Sequence, residues 1–92
     1  MLYQNWAKKY AAKYGYMQRE QKDPNALIFW KPGAQLNVFF TTCTIAVILD
    51  EPGKPRQPVY LRDVGIDDMG KVFEDAPAYM KFLNEHATGK LL

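Results

Sequence analysis

Residues 35–50 read QLNVFFTTCTIAVILD and form the only long apolar run of the chain. The run is rich in β-branched and aromatic residues and contains neither Pro nor Gly, a composition typical of strands buried in a sheet. Its sixteen residues far exceed the usual strand of about 5–6 residues, so two strands that meet near residues 41–43 are predicted. Because the run lacks the Gly that a tight hairpin favours, one long bent strand is the alternative.

Alternation along the first half of this run divides its side chains between two faces of a sheet. Leu36, Val38 and Phe40 fall on one face and are predicted to lie in the core. Asn37 and Phe39 fall on the other face, which therefore combines an aromatic ring with hydrogen-bonding groups. Residues 44–49 are apolar at nearly every position. The second strand is therefore expected to be central and buried on both faces.

The segments before the run predict a helix, a hairpin and a tight turn. Residues 2–14 carry aromatic side chains at four-residue spacing, which predicts an amphipathic helix that ends at Gly15. Residues 16–21 and 27–31 are predicted to pair as a hairpin across a turn at 22–25, with the first segment at the edge of the sheet. The KPGA segment that begins at residue 31 has Pro and Gly where a type II turn requires them.

The segments after the run predict a loop, a last strand and two short helices. Residues 51–58 contain three prolines and are expected to form a basic loop. Residues 59–64 are predicted to be the last strand. A helix opens at 65–69, where acidic side chains match the positive end of the helix dipole. Pro77 interrupts it, and residues 78–86 are predicted to form a second helix.

Together these elements predict an α+β fold in a single domain that spans residues 1–92. An antiparallel sheet of four to five strands forms a meander, with an N-terminal helix and one or two C-terminal helices packed on one face. A chain of 92 residues is long enough to bury one modest core without disulfides or metals.

Composition and charge place the chain among intracellular proteins, with no preference between cytoplasm, nucleus and organelle. Cys43 is the only cysteine and cannot form an internal disulfide, and no apolar run approaches the roughly 20 residues of a membrane span. Residues 1–62 carry nine Lys/Arg against four Asp/Glu, a net charge of +5, whereas residues 63–92 have a net charge of −3. This asymmetry is typical of an ordinary solvated surface, and it also suits an anionic partner on the sheet side.

The sequence predicts no enzyme, no metal site and no cofactor. One His and one Cys far apart in the chain do not supply a cluster of metal ligands. Cys43 lies in the apolar run and is expected to behave as a small hydrophobe, while His86 is expected at the surface. Asp67 and Asp68 are better explained by the start of a helix than by a catalytic pair.

The polar and aromatic face of the sheet is therefore the candidate site. Aromatic rings stack on unpaired bases and Arg or Lys neutralises phosphates, so a single-stranded nucleic acid is the predicted ligand. The predicted contact residues are Lys31, Phe39, Lys54, Arg56, Tyr60 and Arg62. Two alternatives remain: Phe39 and Tyr60 are covered by the N-terminal helix of the same chain, or they are buried against a partner protein or in a homodimer.

The order of elements adds one resemblance. A curved antiparallel sheet followed by the segment VYLRDVGIDDMGKVFED, residues 59–75, resembles the arrangement in the PUR and Whirly families of single-strand binders. The likeness is one of topology over about half the chain and carries no residue roles. It implies the same class of ligand as the aromatic face.

Overall fold

The computed structural model describes residues 2–19 and 24–86. Its elements are α1 (Leu2–Lys13), β1 (Met17–Arg19), β2 (Ala26–Lys31), β3 (Ala34–Phe39), β4 (Thr44–Leu49), β5 (Val59–Leu61), α2 (Ile66–Glu74) and α3 (Ala76–His86). The predicted α+β fold is confirmed, with one helix before the sheet and two after it. The turn expected at 22–25 lies partly outside the described residues.

The sheet is a five-stranded antiparallel meander in which the strands lie side by side in chain order. The central strand is β3, and β4 pairs on both sides with β3 and β5. Both edge strands, β1 and β5, have three residues each. Short edges offer little free backbone for pairing with a strand of another chain.

The turn between β3 and β4 resolves the ambiguity in the apolar run. β3 ends at Phe39 and β4 begins at Thr44, so two strands are confirmed and the single bent strand is wrong. Cys43 takes the left-handed backbone conformation that Gly usually supplies, with a φ of +53°. Its carbonyl oxygen accepts a hydrogen bond from the backbone N–H of Val64 at 2.9 Å, which ties the turn to the segment after β5.

Two glycines perform the roles that the sequence predicts. Gly33 has a φ of +93°, as the third residue of a type II turn requires. Gly15 has a φ of +79° and follows α1, and the N–H of the next residue, Tyr16, donates to the carbonyl of Ala11 at 2.8 Å. Such a bond satisfies a carbonyl that the end of the helix leaves open.

All three helices pack on the same face of the sheet, which we name the covered face. Its strand residues in the core are Phe29, Ala34, Leu36, Val38, Ile45, Val47 and Leu61. The helices add Ala7 and Ala11 from α1, Met69, Val72 and Phe73 from α2, and Ala76, Tyr79, Met80 and Leu83 from α3. No helix within residues 2–19 and 24–86 has both the length and the apolar character needed to cross a membrane.

The aromatic stripe of α1 lies against α2. Tyr10 stacks on Phe73 with ring centroids 6.3 Å apart, and a Cβ at Gly70 would lie 2.9 Å from Cζ of Tyr10. The missing side chain at Gly70 therefore lets the two helices approach closely over the sheet.

Two boundaries differ from the sequence prediction. β5 ends at Leu61, three residues early, because Asp63 adopts a left-handed φ of +53°. α3 begins at Ala76, two residues before the expected start, because Asp75 caps it. Oδ1 of Asp75 accepts a hydrogen bond from the N–H of Ala78 at 3.1 Å.

Candidate functional site: the open face of the sheet

The register of the strands defines a second face, on which none of the described helices packs. Residues paired across antiparallel strands point to the same side, so the pairing assigns each side chain to one face. We name this surface the open face; it consists of Met17, Arg19, Ala26, Ile28, Trp30, Gln35, Asn37, Phe39, Thr44, Ala46, Ile48 and Tyr60.

Large apolar side chains of the open face are accessible. Met17 is 59% exposed and Tyr60 is 41% exposed. Trp30, Phe39 and Ile48 are half-buried, and none of these five belongs to the core cluster or packs against it. The interpretation that α1 covers Phe39 and Tyr60 is therefore wrong. Strand β4 lies between β3 and β5 as expected, but its burial on the open face is only partial, since Ala46 is 2% exposed whereas Thr44 and Ile48 are half-buried.

The aromatic rings of the open face differ in how accessible their flat surfaces are to a ligand. The guanidinium of Arg19 lies 5.7 Å from the ring centroid of Trp30 and covers one side of the indole. Within residues 2–19 and 24–86, Phe39 and Tyr60 stack with no other ring and contact no cation. These two rings can therefore receive a planar ligand without losing a stacking or cation–π contact with another described residue.

A chain of hydrogen bonds runs along one end of the open face. Arg56 forms an ion pair with Asp50, and its Nη2 donates to Oε1 of Gln35 at 3.4 Å. Nε2 of Gln35 in turn donates to Oδ1 of Asn37 at 3.0 Å. Arg56 is thereby held at the edge of the open face, although it belongs to the loop that follows β4.

Three of the six predicted contact residues come together at the open face, and a fourth, Arg62, follows the last residue of β5. Phe39 and Tyr60 belong to it, and Arg56 is linked to it through Gln35. Arg62 is exposed and follows Leu61, which faces the core. Because β5 ends at Leu61, the strand pairing assigns Arg62 to neither face.

Lys31 lies on the covered side. Its Nζ donates to the backbone carbonyl of Tyr14 at 3.3 Å and stands 4.5 Å from the ring centroid of Tyr16. The register pairs Lys31 with Ala34, which belongs to the core. Lys31 is thus placed away from the other predicted contacts.

Lys54 is also placed on the covered side. Its Nζ forms an ion pair with Glu51 at 3.0 Å. It lines a pocket of about 190 Å³ together with Val47, Val59 and Met80, all of which belong to or pack on the core. Lys54 and Arg56 are only two residues apart in the loop, yet they face opposite sides of the sheet.

The sequence-based prediction missed Arg19, Gln35 and Ile28. Arg19 is the only charged residue of the open face in the described part of the chain, and no carboxylate lies among its members. The alternation within β2 could have assigned Ile28 and Trp30 to one side. Only the pairing of β1 with β2 places Arg19 beside them, because it sets Arg19 opposite Ile28.

Burial changes the ionisation of two tyrosines on the covered side. Burial, and then the nearby Asp75, raises the pKa of Tyr16 to about 12. Burial also raises the pKa of Tyr3, with a smaller effect from Cys43. Both phenols are therefore neutral at physiological pH. Within residues 2–19 and 24–86, no group of three or more His, Cys, Asp or Glu side chains could hold a metal ion.

Fold and surface together define the class of the chain: a small α+β domain with three helices on one face of its sheet and an uncovered opposite face. Comparison of the sequence with protein-family models and curated proteins, and of the structure with solved structures, found no significant match. Function is therefore argued from the residues of the open face.

Proposed function

We propose that this chain is a small non-enzymatic module that binds single-stranded nucleic acid on the open face of its sheet. The observation that supports the proposal is the combination of accessible Phe39 and Tyr60 rings with Arg19 on the same face, whose described members include no carboxylate. Arg62 and the Asp50-paired Arg56 lie beside this face. Unpaired bases expose the flat surfaces that aromatic rings bind, whereas a duplex buries them in its own stack.

Stacking provides the base-binding part of the proposal. Tyr60 is 41% exposed, and Phe39 is half-buried two strands away. Each base stacked on such a ring contributes about 1–3 kcal/mol, without strong dependence on sequence. Two rings on one face thus suit a short single strand that crosses the sheet.

Arginines provide the phosphate-binding part. Arg62 is exposed next to β5, and Arg56 is held at the opposite end of the face through Gln35. Arg19 lies at the β1 edge beside Trp30. Guanidinium groups bind phosphate oxygens with two parallel hydrogen bonds, so arginines around the rings suit a backbone that passes over them.

The experiment is a salt titration of the binding of a short labelled DNA or RNA single strand, followed by fluorescence anisotropy. Each phosphate contact contributes about −0.7 to the slope of log K against log salt. We expect Arg62→Ala to weaken binding and flatten this slope by about 0.7, with an unchanged melting temperature because the side chain is exposed.

Lys54→Ala is the matched control, because it removes the same charge from the covered side. We expect it to leave both affinity and slope unchanged. Equal weakening by the two variants would mean that net charge alone drives binding. Absence of binding at low salt would overturn the proposal.

A second candidate function is pairing with another copy of the chain through the same face. It is favoured by the aliphatic members of the open face, since Met17 is 59% exposed and Ile28 and Ile48 are half-buried. These side chains offer no stacking and gain most from burial against apolar surface. A stable protein dimer in sedimentation equilibrium, together with no binding of the DNA or RNA single strand at low salt, would favour this function.

A further inference from the structure

Asn37 lies in the open face, and within the described residues only the oxygen of its side-chain amide has a hydrogen-bond partner. Its Oδ1 accepts a hydrogen bond from Nε2 of Gln35 at 3.0 Å. No acceptor among the described residues takes the Nδ2 protons, and the side chain is half-buried. The accessible half of this amide therefore presents hydrogen-bond donors.

The orientation of the amide follows from Arg56. A guanidinium has donors and no acceptor, so Gln35 must turn its Oε1 toward Arg56. The Nε2 of Gln35 then faces Asn37, which can accept only through Oδ1. Asp50 forms an ion pair with Arg56, so the Arg56 side chain is also fixed in place. We name the connected series Asp50, Arg56, Gln35 and Asn37 the relay.

The surroundings of Asn37 suit recognition of the edge of a base. Ile28 and Ala46 flank it on the neighbouring strands, and a hydrogen bond beside apolar groups is stronger than one in open water. Phe39 lies two residues further along the same strand and face, at about 7 Å. A base stacked on Phe39 is therefore close enough for its edge to reach Asn37.

We propose that Asn37 determines base specificity and that the bound strand is rich in bases that carry a carbonyl oxygen where adenine carries its amino group. This inference rests on the proposed function. Thymine, uracil, guanine and hypoxanthine present carbonyl acceptors at that edge, which match the donors of Nδ2. At the same position adenine places its N6 amino group, a donor that cannot accept from Nδ2; the acceptors of adenine are the ring nitrogens N1 and N7 on either side of it. Gln35 and Arg56 are positioning residues for this contact.

The test compares two oligomers of equal length: oligodeoxyadenylate, and the same oligomer with hypoxanthine at alternate positions. Both contain purines of the same ring size. The comparison changes the donor at position 6 to an acceptor and the acceptor at N1 to a donor, so the hydrogen-bonding pattern of this edge is inverted. We expect the wild-type chain to bind the hypoxanthine oligomer about fivefold more tightly, as one hydrogen bond predicts. Asn37→Ala should abolish this preference. Asn84→Ala, an exposed amide on the covered side, should keep it.

Gln35→Glu provides a sharper test than removal of Asn37. The new carboxylate still accepts from Arg56 and cannot donate to Asn37. The Asn37 amide must then turn Nδ2 toward residue 35 and present Oδ1 outward. We expect the preference to reverse in favour of adenine, a change that a purely structural role for Gln35 would not produce.

The outcomes separate this inference from the proposed function. Equal wild-type affinity for the two oligomers, unchanged by Asn37→Ala, would overturn the role of Asn37 and leave single-strand binding in place. A preference that survives unchanged in Gln35→Glu would overturn the relay. If neither oligomer binds at low salt, the proposed function itself fails.

Discussion

Individual residues of this chain take conformations that their type does not suggest. Cys43 and Asp63 both have a φ of +53°, a region that residues other than Gly seldom occupy. The hydrogen bond from Val64 to the carbonyl of Cys43 joins the two segments. This contact between distant parts of the chain compensates for the local strain, and so the sequence alone indicated neither conformation.

Tyr16 leads to a prediction on pH dependence. Its hydroxyl has no hydrogen-bond partner within the described residues, and burial followed by Asp75 raises its pKa from 10.0 to about 12. The folded state therefore favours the neutral phenol. This contribution to stability is fully present below pH 10 and is lost as the pH rises through about 12.

We expect Tyr16→Phe to keep or raise the melting temperature at neutral pH, because it removes a buried hydroxyl that lacks a partner. Above pH 10 the variant should lose stability less steeply than the wild type. Thermal melts followed by circular dichroism across this range measure the difference. Parallel profiles for the two proteins would show that Tyr16 does not contribute to the alkaline loss.

At the scale of elements, the sheet has a buried and a more accessible side, and β3 alternates regularly between them whereas all three residues of β1 are exposed. In β4, Val47 is 1% exposed in the core, whereas the next residue, Ile48, is half-buried on the open face. Both are β-branched hydrophobes in a continuous apolar run. Their different environments follow from the position of the helices on one face only.

The pair Val47→Asp and Ile48→Asp tests this division. Val47→Asp places a charge in the core without a partner and should unfold the domain. Ile48→Asp puts the same group where water can reach it, so the domain should stay folded with a loss of about 1 kcal/mol. Urea denaturation and near-ultraviolet circular dichroism distinguish the two. A folded Val47→Asp protein would contradict the placement of this side chain.

At the scale of the whole molecule, one core joins all the elements. Helices α1, α2 and α3 each contribute residues to the cluster that covers the sheet. We therefore expect one cooperative thermal transition, with a calorimetric enthalpy close to the van't Hoff enthalpy. For 92 residues that enthalpy should be about 60–70 kcal/mol. Two resolved transitions in scanning calorimetry would contradict a single domain.

The sequence by itself determined the class of fold and much of its order. The KPGA turn, the helix that ends at Gly15 and the alternation around Asn37 depend on neighbours along the chain, and such local rules can be applied to a sequence directly. The exact ends of the elements were less predictable. The start of α3 depends on the cap by Asp75 and the end of β5 depends on local backbone geometry, and amino-acid composition determines neither.

Only the tertiary structure decided which cations share a face with the rings. Lys31, Lys54 and Arg56 have similar sequence environments, rich in Pro and Gly, yet only Arg56 is linked to the open face. The partner of Arg56, Gln35, is 21 residues away in sequence. Such contacts depend on strand register and on the path of a loop over the sheet, which are settled when the whole chain packs around one core.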